Sequence, residues 1–439
     1  MPTRNALPRT LQNRNVQTRK VQNNTGSTYQ PPSGGRDLLP LDVVQKRWIE
    51  DRLEEVFQRW GYHRIITPTV ETMDTLMAGG AIERVEVIEL QIGEVGEQRL
   101  GLRPELTASI ARAAVTRLAS VTYPQRLYYN ANVFRRPSSG SSKGSQGGQQ
   151  EYHQAGIELL GSSGLMADAE VVLLTADCLR AVKLADANIV LGEAALTYSL
   201  LAPFPDDIRE TVRRNIAELN RVGLETLPLE DELRSLALSL MDLRGKPKAV
   251  LQKLANNFTL DEQQQTLVNR LDQLIELLNQ RNVPALTLDL SLIRPFDYYT
   301  GIVFEVVSNQ QRQLLGQGGR YDDLLAVYDT ANTLEEKGFP GIGFVLNIDQ
   351  LHQELVSTGE LPSETPPSDW LIVPTSESAA AAALDYAQKA RDSANIVRVE
   401  LSLDFTQSAD DVRAIARKRN ITRIAWISDQ SLPDIELVN

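Results

Sequence analysis

Residues 286–323 decide the fold, and they read LTLDLSLIRPFDYYTGIVFEVVSNQQRQLLGQGGRYDD. Leucines stand at every second position from 286 to 292, and this period predicts a strand with one buried face. Thr300-Gly301 predicts a bend before a second β-rich run at 302–307. The glycine-rich segment 316–323 closes the stretch, and its paired glycines allow a backbone to approach a ligand closely. The stretch therefore predicts neighbouring strands with a polar end.

Four polar side chains follow the first predicted strand, namely Arg294, Asp297, Tyr298 and Tyr299. An arginine pairs with a carboxylate, and tyrosine hydroxyls bond an amine or an imidazole. These residues therefore predict a pocket for a small zwitterion. A hairpin whose tyrosines only pack in the core is the alternative that the pattern leaves open.

Length and composition narrow the class of protein. A chain of 439 residues is long enough for a large core and for two or three domains. The single cysteine, Cys178, excludes an intramolecular disulfide and indicates a reducing compartment. The histidines at 63, 153 and 352 lack the spacing of zinc ligands, and no apolar run reaches the length of a membrane span. We therefore expect a cytoplasmic protein without a metal, a cofactor or a membrane contact.

The charge of the chain is unevenly distributed. The formal net charge is −12, but residues 1–30 carry five basic residues and no acidic one, which leaves −17 on the remainder. This first segment is poor in apolar residues, and it predicts a disordered tail rather than a transit peptide because its serines are few. An acidic body offers few of the clustered cations that phosphate contacts need. A large nucleic-acid footprint is therefore not expected.

The first part of the ordered chain mixes helices and strands. Apolar residues at helical spacing predict a helix over 41–60, and the β-prone run 62–71 predicts a strand. A β-meander is expected over 81–102. Glu105 and Thr107 then stand at the start of a predicted helix, where such side chains commonly cap the first turn.

Two further strands are predicted at 126–136 and 151–161, on either side of the Ser-, Gly- and Gln-rich run 138–150. That composition predicts a flexible loop. Gln154 and Glu158 lie an even number of residues apart on the second strand, so both side chains face the same side of it.

The remaining chain separates into helical and mixed segments. Helices are predicted over 166–187 and through most of 190–280, and a proline-containing linker covers 358–368. Strands then alternate with helices over 370–428, which is typical of a small parallel α/β unit.

Several of these segments resemble the motifs of class II histidyl-tRNA synthetases, and the resemblance covers about residues 34–439. LRPELTA at 102–108 resembles the Leu-Arg-Pro-Glu-Gly-Thr element, and EYHQAGIELLG at 151–161 resembles the second strand of motif 2. DYYTG and GGRYD, both within 286–323, resemble the histidine-specific elements. GFPGIGFVLNIDQL at 338–351 resembles motif 3.

The resemblance implies an α+β fold, with the antiparallel sheet and helices of a class II synthetase. A synthetase-like domain would cover 31–357, including a helical insertion at about 195–282. A linker over 358–368 and a small α/β domain over 369–439, similar to a shortened anticodon-binding domain, would follow. The tail 1–30 would precede them.

The resemblance also implies a histidine site. In the family, matching residues contact the amino group, the imidazole and the carboxylate of the amino acid. The expected histidine-binding residues are Glu105, Thr107, Gln154, Glu158, Arg294, Tyr298 and Tyr299. Arg135 matches the arginine that contacts the ATP α-phosphate in that family.

Three departures from the family pattern affect catalysis. Gln350 stands where the synthetase has the arginine that clamps the γ-phosphate, and Pro137 stands where a glutamate helps to hold the nucleotide. A glutamine has no charge to offset a triphosphate. The small domain 369–439 has eight basic and eleven acidic residues, which is unfavourable for binding an anticodon. We therefore expect no catalytic residue and no tRNA partner.

A retained amino-acid pocket with lost ATP chemistry resembles the regulatory subunits of ATP phosphoribosyltransferase, which are catalytically silent paralogues of the synthetase. That resemblance implies a chain that activates the short catalytic subunit in the first step of histidine biosynthesis and senses histidine for feedback inhibition. It also implies a homodimer within a hetero-oligomer. The first alternative is an active histidyl-tRNA synthetase. The second is a synthetase-like nucleic-acid sensor, which no basic cluster in the sequence supports.

Overall fold

The computed structural model describes residues 31–32, 34–80, 82–91, 98–136, 148–281, 283–292, 298–329, 339–393, 396–429 and 432–438. The helices within these ranges are α1 (Pro40–Arg59), α2 (Met73–Ala78), α3 (Thr107–Thr116), α4 (Leu165–Ala181), α5 (Ala194–Leu201), α6 (Asp206–Ala217), α7 (Arg221–Thr226), α8 (Asp231–Met241), α9 (Pro247–Asn257), α10 (Glu262–Asn279), α11 (Leu324–Tyr328), α12 (Ile348–Val356), α13 (Ala380–Arg391) and α14 (Ala409–Lys418). The strands are β1 (His63–Arg64), β2 (Val70–Thr72), β3 (Ile88–Leu90), β4 (Leu100–Leu102), β5 (Gln125–Phe134), β6 (Glu151–Leu160), β7 (Asn188–Glu193), β8 (Arg244–Gly245), β9 (Ala285–Asp289), β10 (Ile302–Val307), β11 (Leu314–Arg320), β12 (Gly341–Asn347), β13 (Trp370–Pro374), β14 (Val399–Leu401), β15 (Arg423–Ile427) and β16 (Asp434–Leu437).

A nine-stranded sheet forms the centre of the molecule, in the order β1-β5-β6-β12-β11-β10-β7-β9-β8. Among the six strands from β5 to β7 in this order, every adjacent pair is antiparallel. Parallel pairing occurs between β1 and β5 and between β7 and β9. The predicted α+β class, with a class II antiparallel sheet, is confirmed.

Each face of this sheet has its own apolar layer. On one face, Ile49 and Phe57 of α1 and Leu351 of α12 are buried in one cluster with Ile157 of β6. On the other face, α3 packs against alternate residues of β5 and against the ends of β10 and β11. Because side chains alternate along a strand, the residues next to Ile157 face the α3 side. Glu158 of β6 therefore lies on the α3 side.

The strand predicted over 62–71 is two strands in two sheets. Its first part is β1, at the edge of the large sheet. Its second part is β2, in a small sheet of order β2-β4-β3. The Nη1 atom of Arg103 donates to the carbonyl oxygens of Thr67 (2.8 Å) and Pro68 (3.3 Å) between them. These backbone oxygens are therefore satisfied by a side chain rather than by a neighbouring strand.

The first strand of the 286–323 stretch ends earlier than its leucine period predicts. Residues 290–292 form a turn instead of continuing β9. The Asp289 carboxylate accepts hydrogen bonds from the backbone N of Ser291 (2.9 Å) and from its hydroxyl (2.5 Å). An aspartate that bonds the backbone two residues later stabilises a turn, and so the strand stops. The predicted bend at Thr300-Gly301 and the strand after it are confirmed.

Helices α5 to α10 form most of the region predicted to be helical, but that region opens with β7, which the sequence pattern did not indicate. In the last sheet, of order β14-β13-β15-β16, the first three strands are parallel as predicted and β16 is antiparallel to β15. The division into domains remains a prediction. The tail 1–30, and residues 138–147 of the predicted loop, lie outside the described residues. Within the described ranges, no helix combines the length and the apolar character that crossing a membrane requires.

Candidate ligand-binding site

A cavity on the α3 side of the large sheet collects most of the residues predicted to bind histidine. It holds about 520 Å³ of space, including its open mouth. The predicted residues that line it are Glu105, Thr107, Arg135, Gln154, Glu158, Tyr298 and Tyr299. Arg294 lies outside the described residues. Six of the seven residues predicted to bind histidine, together with Arg135, therefore come from four separate segments to one cavity.

Glu158 lies at the base of this cavity and is only 2% exposed. Its Oε1 atom accepts a hydrogen bond from the Thr107 hydroxyl at 2.8 Å, and its Oε2 atom accepts one from the Tyr321 hydroxyl. The neighbouring strand leaves room for the carboxylate at Gly343, where a Cβ atom would lie 2.0 Å from Oε2. Glycine at this position is therefore a requirement of the site, because any side chain would displace Glu158.

Burial dominates the electrostatics of the two carboxyl groups. Removal from water raises the pKa of Glu158 to about 8, and the nearby charge of Glu105 adds to this shift, although the hydrogen bonds from Tyr321 and Thr107 lower the pKa. Removal from water also raises the pKa of Glu105. Two carboxyl groups with raised pKa values favour a ligand that brings a positive charge, since such a ligand stabilises their ionised forms.

Glu105 both lines the cavity and caps a helix. Its carboxylate accepts hydrogen bonds from the backbone N of Thr107 and from the backbone N of Ala108, the latter at 2.9 Å. These amides belong to the first turn of α3, whose free N–H groups need acceptors. The capping interpretation of Glu105 is therefore correct, and the structure places the same side chain at the cavity wall.

Aromatic side chains form another wall. The rings of Tyr298 and Tyr299 lie 4.5 Å apart between centroids, and the rings of Tyr298 and Tyr321 lie 5.9 Å apart, edge to face. Gly319 admits the Tyr299 ring, because a Cβ atom there would lie 2.6 Å from it. The tyrosines that follow the predicted strand thus line a cavity and also pack against the core, and the binding of a zwitterion there stays a prediction.

Sequence reasoning missed two tyrosines at this cavity, Tyr321 and Tyr129. Tyr321 belongs to the GGRYD element that the sequence analysis quoted, so a signal for it was present. Tyr129 lies on β5, where no spacing distinguished it from a core residue. Its ring is 3% exposed, and it faces Gly156 of β6.

Arg135 is the only basic residue among the described residues that line the cavity. Its Nε atom donates to the backbone oxygen of Pro104 at 2.9 Å, which fixes the side chain at the end of β5. The guanidinium can therefore meet an anionic group of a ligand. One guanidinium neutralises only a small part of the negative charge of a triphosphate.

The start of α12 carries the altered motif 3 residues. Asp349 is 3% exposed, and its Oδ1 atom contacts Arg36 (3.0 Å) and Lys46 (3.1 Å). Its Oδ2 atom accepts a hydrogen bond from the backbone N of His153 at 2.9 Å. Burial by itself would raise the pKa of Asp349, but this amide and the two cations outweigh it and lower the pKa. Arg36, Lys46 and Asp349 line a cavity that shares no lining residue with the first cavity.

Replacing Asp349 by Asn is expected to lower the free energy of unfolding by about 3 kcal/mol, because Lys46 would remain buried without a counter-charge. Urea unfolding of the two proteins measures this difference. Asp51→Asn is the matched control, since Asp51 is exposed on the same helix as Lys46, and its effect should stay within about 0.5 kcal/mol. Equal effects of the two substitutions would contradict the expectation.

The same substitution has a defined pH dependence. The folded pKa of Asp349 lies below its usual value of 3.8. The stabilisation is therefore fully present above pH 3.8 and is lost as the pH falls through the folded pKa. The difference between the wild-type protein and Asp349→Asn should accordingly shrink below about pH 4.

The antiparallel sheet, the strand pair β5-β6 and the cavity between α3 and the sheet define a protein of the class II aminoacyl-tRNA synthetase type, similar to the histidyl enzymes. The family profile described as histidyl-tRNA synthetase matches residues 34–351. The chain is 56% identical over 410 residues to the ATP phosphoribosyltransferase regulatory subunit of Nostoc punctiforme, covering 93% of this chain and 99% of the relative. It is 51% identical to the protein of the same name from Picosynechococcus sp., over 93% of this chain and 99% of the relative. The chain belongs to the family of ATP phosphoribosyltransferase regulatory subunits.

Solved structures agree with this fold. A structure from Bacillus halodurans, titled an ATP phosphoribosyltransferase regulatory subunit/histidyl-tRNA synthetase, superposes with a TM-score of 0.75 at 27% identity, covering 92% of this chain and 99% of that one. The histidyl-tRNA synthetase of Nostoc sp. superposes with a TM-score of 0.74 at 20% identity, covering 93% of this chain and 94% of that one. The second similarity is evidence for the fold alone.

Proposed function

We propose that this chain is the non-catalytic regulatory subunit of ATP phosphoribosyltransferase, which activates the short catalytic subunit and senses histidine for feedback inhibition. The observation that carries this proposal is the identity of more than half the residues to a regulatory subunit along nearly the whole chain. The buried carboxylates of the cavity add support, because they suit a cationic amino-acid ligand. A homodimer within a hetero-oligomer is part of the proposal.

The cavity offers a partner for each polar group of histidine. Glu158 and Glu105 would meet the ammonium and imidazole groups, with Gln154 as a further hydrogen-bonding partner. Arg294 would pair with the carboxylate, as the sequence predicts. Tyr298 and Tyr321 offer aromatic surface for the ring.

An active histidyl-tRNA synthetase is the second candidate, and the match to the histidyl-tRNA synthetase profile favours it. Gln350 weighs against it, because glutamine brings no positive charge, and Arg135 is the only cation among the described residues that line the cavity. Activation of an amino acid by ATP relies on charge placed at the phosphates. We therefore retain the regulatory function.

Formation of a complex tests the proposal. The chain, co-expressed with the short catalytic subunit of ATP phosphoribosyltransferase from the same organism, is expected to co-elute with it in size-exclusion chromatography. The catalytic rate of the mixture should exceed that of the catalytic subunit alone at the same concentration. Separate elution together with an unchanged rate would refute the proposed function.

A further inference from the structure

A second cavity lies between α4, α10 and the ends of β7, β10 and β11, with about 730 Å³ of space including its mouth. It shares no lining residue with the first cavity. The polar residues that line it are Ser163, Asp168, Glu193, Arg270, Thr300, Arg320 and Asp322. They come from five segments of the chain, and none of them lines the first cavity.

Arg320 crosses the floor of this cavity with its charge already matched. Its Nε and Nη2 atoms contact Oδ1 of Asp168 at 2.8 and 2.6 Å, and its Nη1 atom contacts Oδ1 of Asp322 at 2.9 Å. The side chain is 7% exposed. Arg320 therefore organises the floor and does not compensate a further anion.

Glu193 is a carboxyl group on the cavity floor, and within the described part of the chain one of its oxygens lacks a hydrogen-bond partner. It is 6% exposed, and its Oε1 atom has no hydrogen-bond partner among the described residues. The carboxylate also accepts a hydrogen bond from the backbone N of Ala195, at the start of α5. Burial raises the pKa of Glu193 to about 8, and the charge of Asp168 adds to the shift. A buried oxygen without a partner is unfavourable, so a ligand that donates to Oε1 would be stabilised.

Arg270 supplies a positive charge at the mouth of the same cavity. The residue is exposed, and within the described chain it makes no ion pair. Its positive charge lies close enough to Asp168 and Glu193 to oppose the rise in pKa that burial causes in both carboxyl groups. Leu267 and Leu271, which flank Arg270 on α10, give the cavity an apolar wall. The mouth therefore offers one cation next to apolar surface.

We propose that this second cavity binds an amino acid with an apolar side chain, whose ammonium group donates to Oε1 of Glu193 and whose carboxylate meets Arg270. The apolar side chain would pack against Leu267 and Leu271 of α10. A carboxylate at depth and a guanidinium at the mouth match the two ends of a zwitterion. Within the described chain, Oε1 of Glu193 has no hydrogen-bond partner and Arg270 makes no ion pair. A simple amine has no carboxylate to pair with Arg270, and a simple carboxylic acid has no ammonium group to donate to Glu193.

The second cavity adjoins the first through consecutive residues. Tyr299 lines the first cavity and Thr300 the second, and likewise Tyr321 lines the first and Arg320 the second. The backbone N of Thr300 donates to the backbone O of Arg320 at 2.8 Å, which joins the two segments. A ligand in the second cavity therefore contacts the backbone that positions two tyrosines of the first.

Titration calorimetry of the full chain with each of the twenty amino acids, and with n-butylamine, tests the proposal. At least one apolar amino acid is expected to bind once per chain, and n-butylamine at least tenfold more weakly. Glu193→Gln should weaken the binding at least tenfold and Arg270→Gln severalfold. Glu276→Gln and Arg281→Gln, both exposed on or just after α10, are matched controls that should leave it unchanged.

Proton release gives a second readout. The charged groups that face Glu193 are Asp168 from α4, Arg270 from α10, and Arg320 and Asp322 from the end of β11. Because the pKa of Glu193 is about 8, its carboxyl group is mostly protonated at pH 7. Binding of an ammonium group should therefore release a proton, seen as a binding heat that depends on the buffer. Glu193→Gln should abolish this dependence.

Three results would each overturn the proposal. The first is the absence of binding by every apolar amino acid at millimolar concentration. The second is an affinity that Arg270→Gln leaves unchanged, because Arg270 is exposed and its replacement should not disturb folding. Binding that Glu158→Gln abolishes and Glu193→Gln does not would assign the ligand to the first cavity and would equally refute the proposal.

Discussion

Histidine binding is expected to weaken about a hundredfold or more when Glu158 is replaced by Gln. Glu158 lies at the base of the first cavity, and its carboxylate is the group that a ligand ammonium or imidazole would meet. Removing one partner of a buried, hydrogen-bonded charge pair costs about 2–5 kcal/mol, and each 1.4 kcal/mol changes an affinity about tenfold. Glutamine retains the shape of the side chain, so the loss reports the charge.

Calorimetry on the chain, and inhibition assays on its complex with the catalytic subunit, measure this effect. The variant complex should retain its activation and lose its inhibition by histidine. Glu151→Gln, on the same strand but exposed, is the matched control and should behave like the wild-type protein. If a folded Glu158→Gln complex is still inhibited at the wild-type histidine concentration, the regulatory site lies elsewhere.

The pH dependence of the same binding follows from the pKa of Glu158. The free protein holds this carboxyl group mostly protonated at pH 7, because its pKa is about 8. A cationic ligand binds the ionised form, and the ionised fraction rises roughly fivefold between pH 7 and 8. Histidine affinity should therefore rise by about that factor over this interval in the wild-type protein and stay flat in Glu158→Gln.

Local spacing was enough to predict the elements around the first cavity. The even separation of Gln154 and Glu158 placed both on one side of β6, and both line the cavity. The run 62–71 shows the limit of such reasoning, because a continuous β-prone segment carries no information about which sheet its two halves join. The two halves pair with different strands, β1 with β5 and β2 with β4, and Arg103 satisfies the backbone oxygens of Thr67 and Pro68 between them.

The second cavity could not be predicted from the sequence for a related reason. Asp168, Glu193, Arg270 and Arg320 share no spacing, and each one resembles an ordinary helix-surface or strand-end charge. Only the packing of α4 and α10 against the sheet brings them together. The first cavity was predictable because its residues lie in motifs of a known family. The second cavity takes Thr300, Arg320 and Asp322 from two of these motifs, but Asp168, Glu193 and Arg270 lie in none of them.

The purified chain is expected to show no measurable histidine-dependent exchange between ATP and pyrophosphate. Its exchange rate should lie at least about ten thousandfold below that of an active histidyl-tRNA synthetase. Loss of one group that stabilises the transition state lowers a rate about a hundred- to a thousandfold. Two such groups are replaced here, by Gln350 and Pro137. Other cations do not compensate, because Arg135 is the only basic residue among the described residues that line the cavity.

A histidyl-tRNA synthetase assayed at the same concentration is the positive control, and histidine binding to the chain shows that the preparation is folded. Retained binding without exchange is the expected result, because the groups that hold the amino acid and the groups that neutralise the phosphates are separate parts of the site. Exchange within about a hundredfold of the control would mean that Gln350 can act without a charge. That outcome would support the synthetase as the function of this chain.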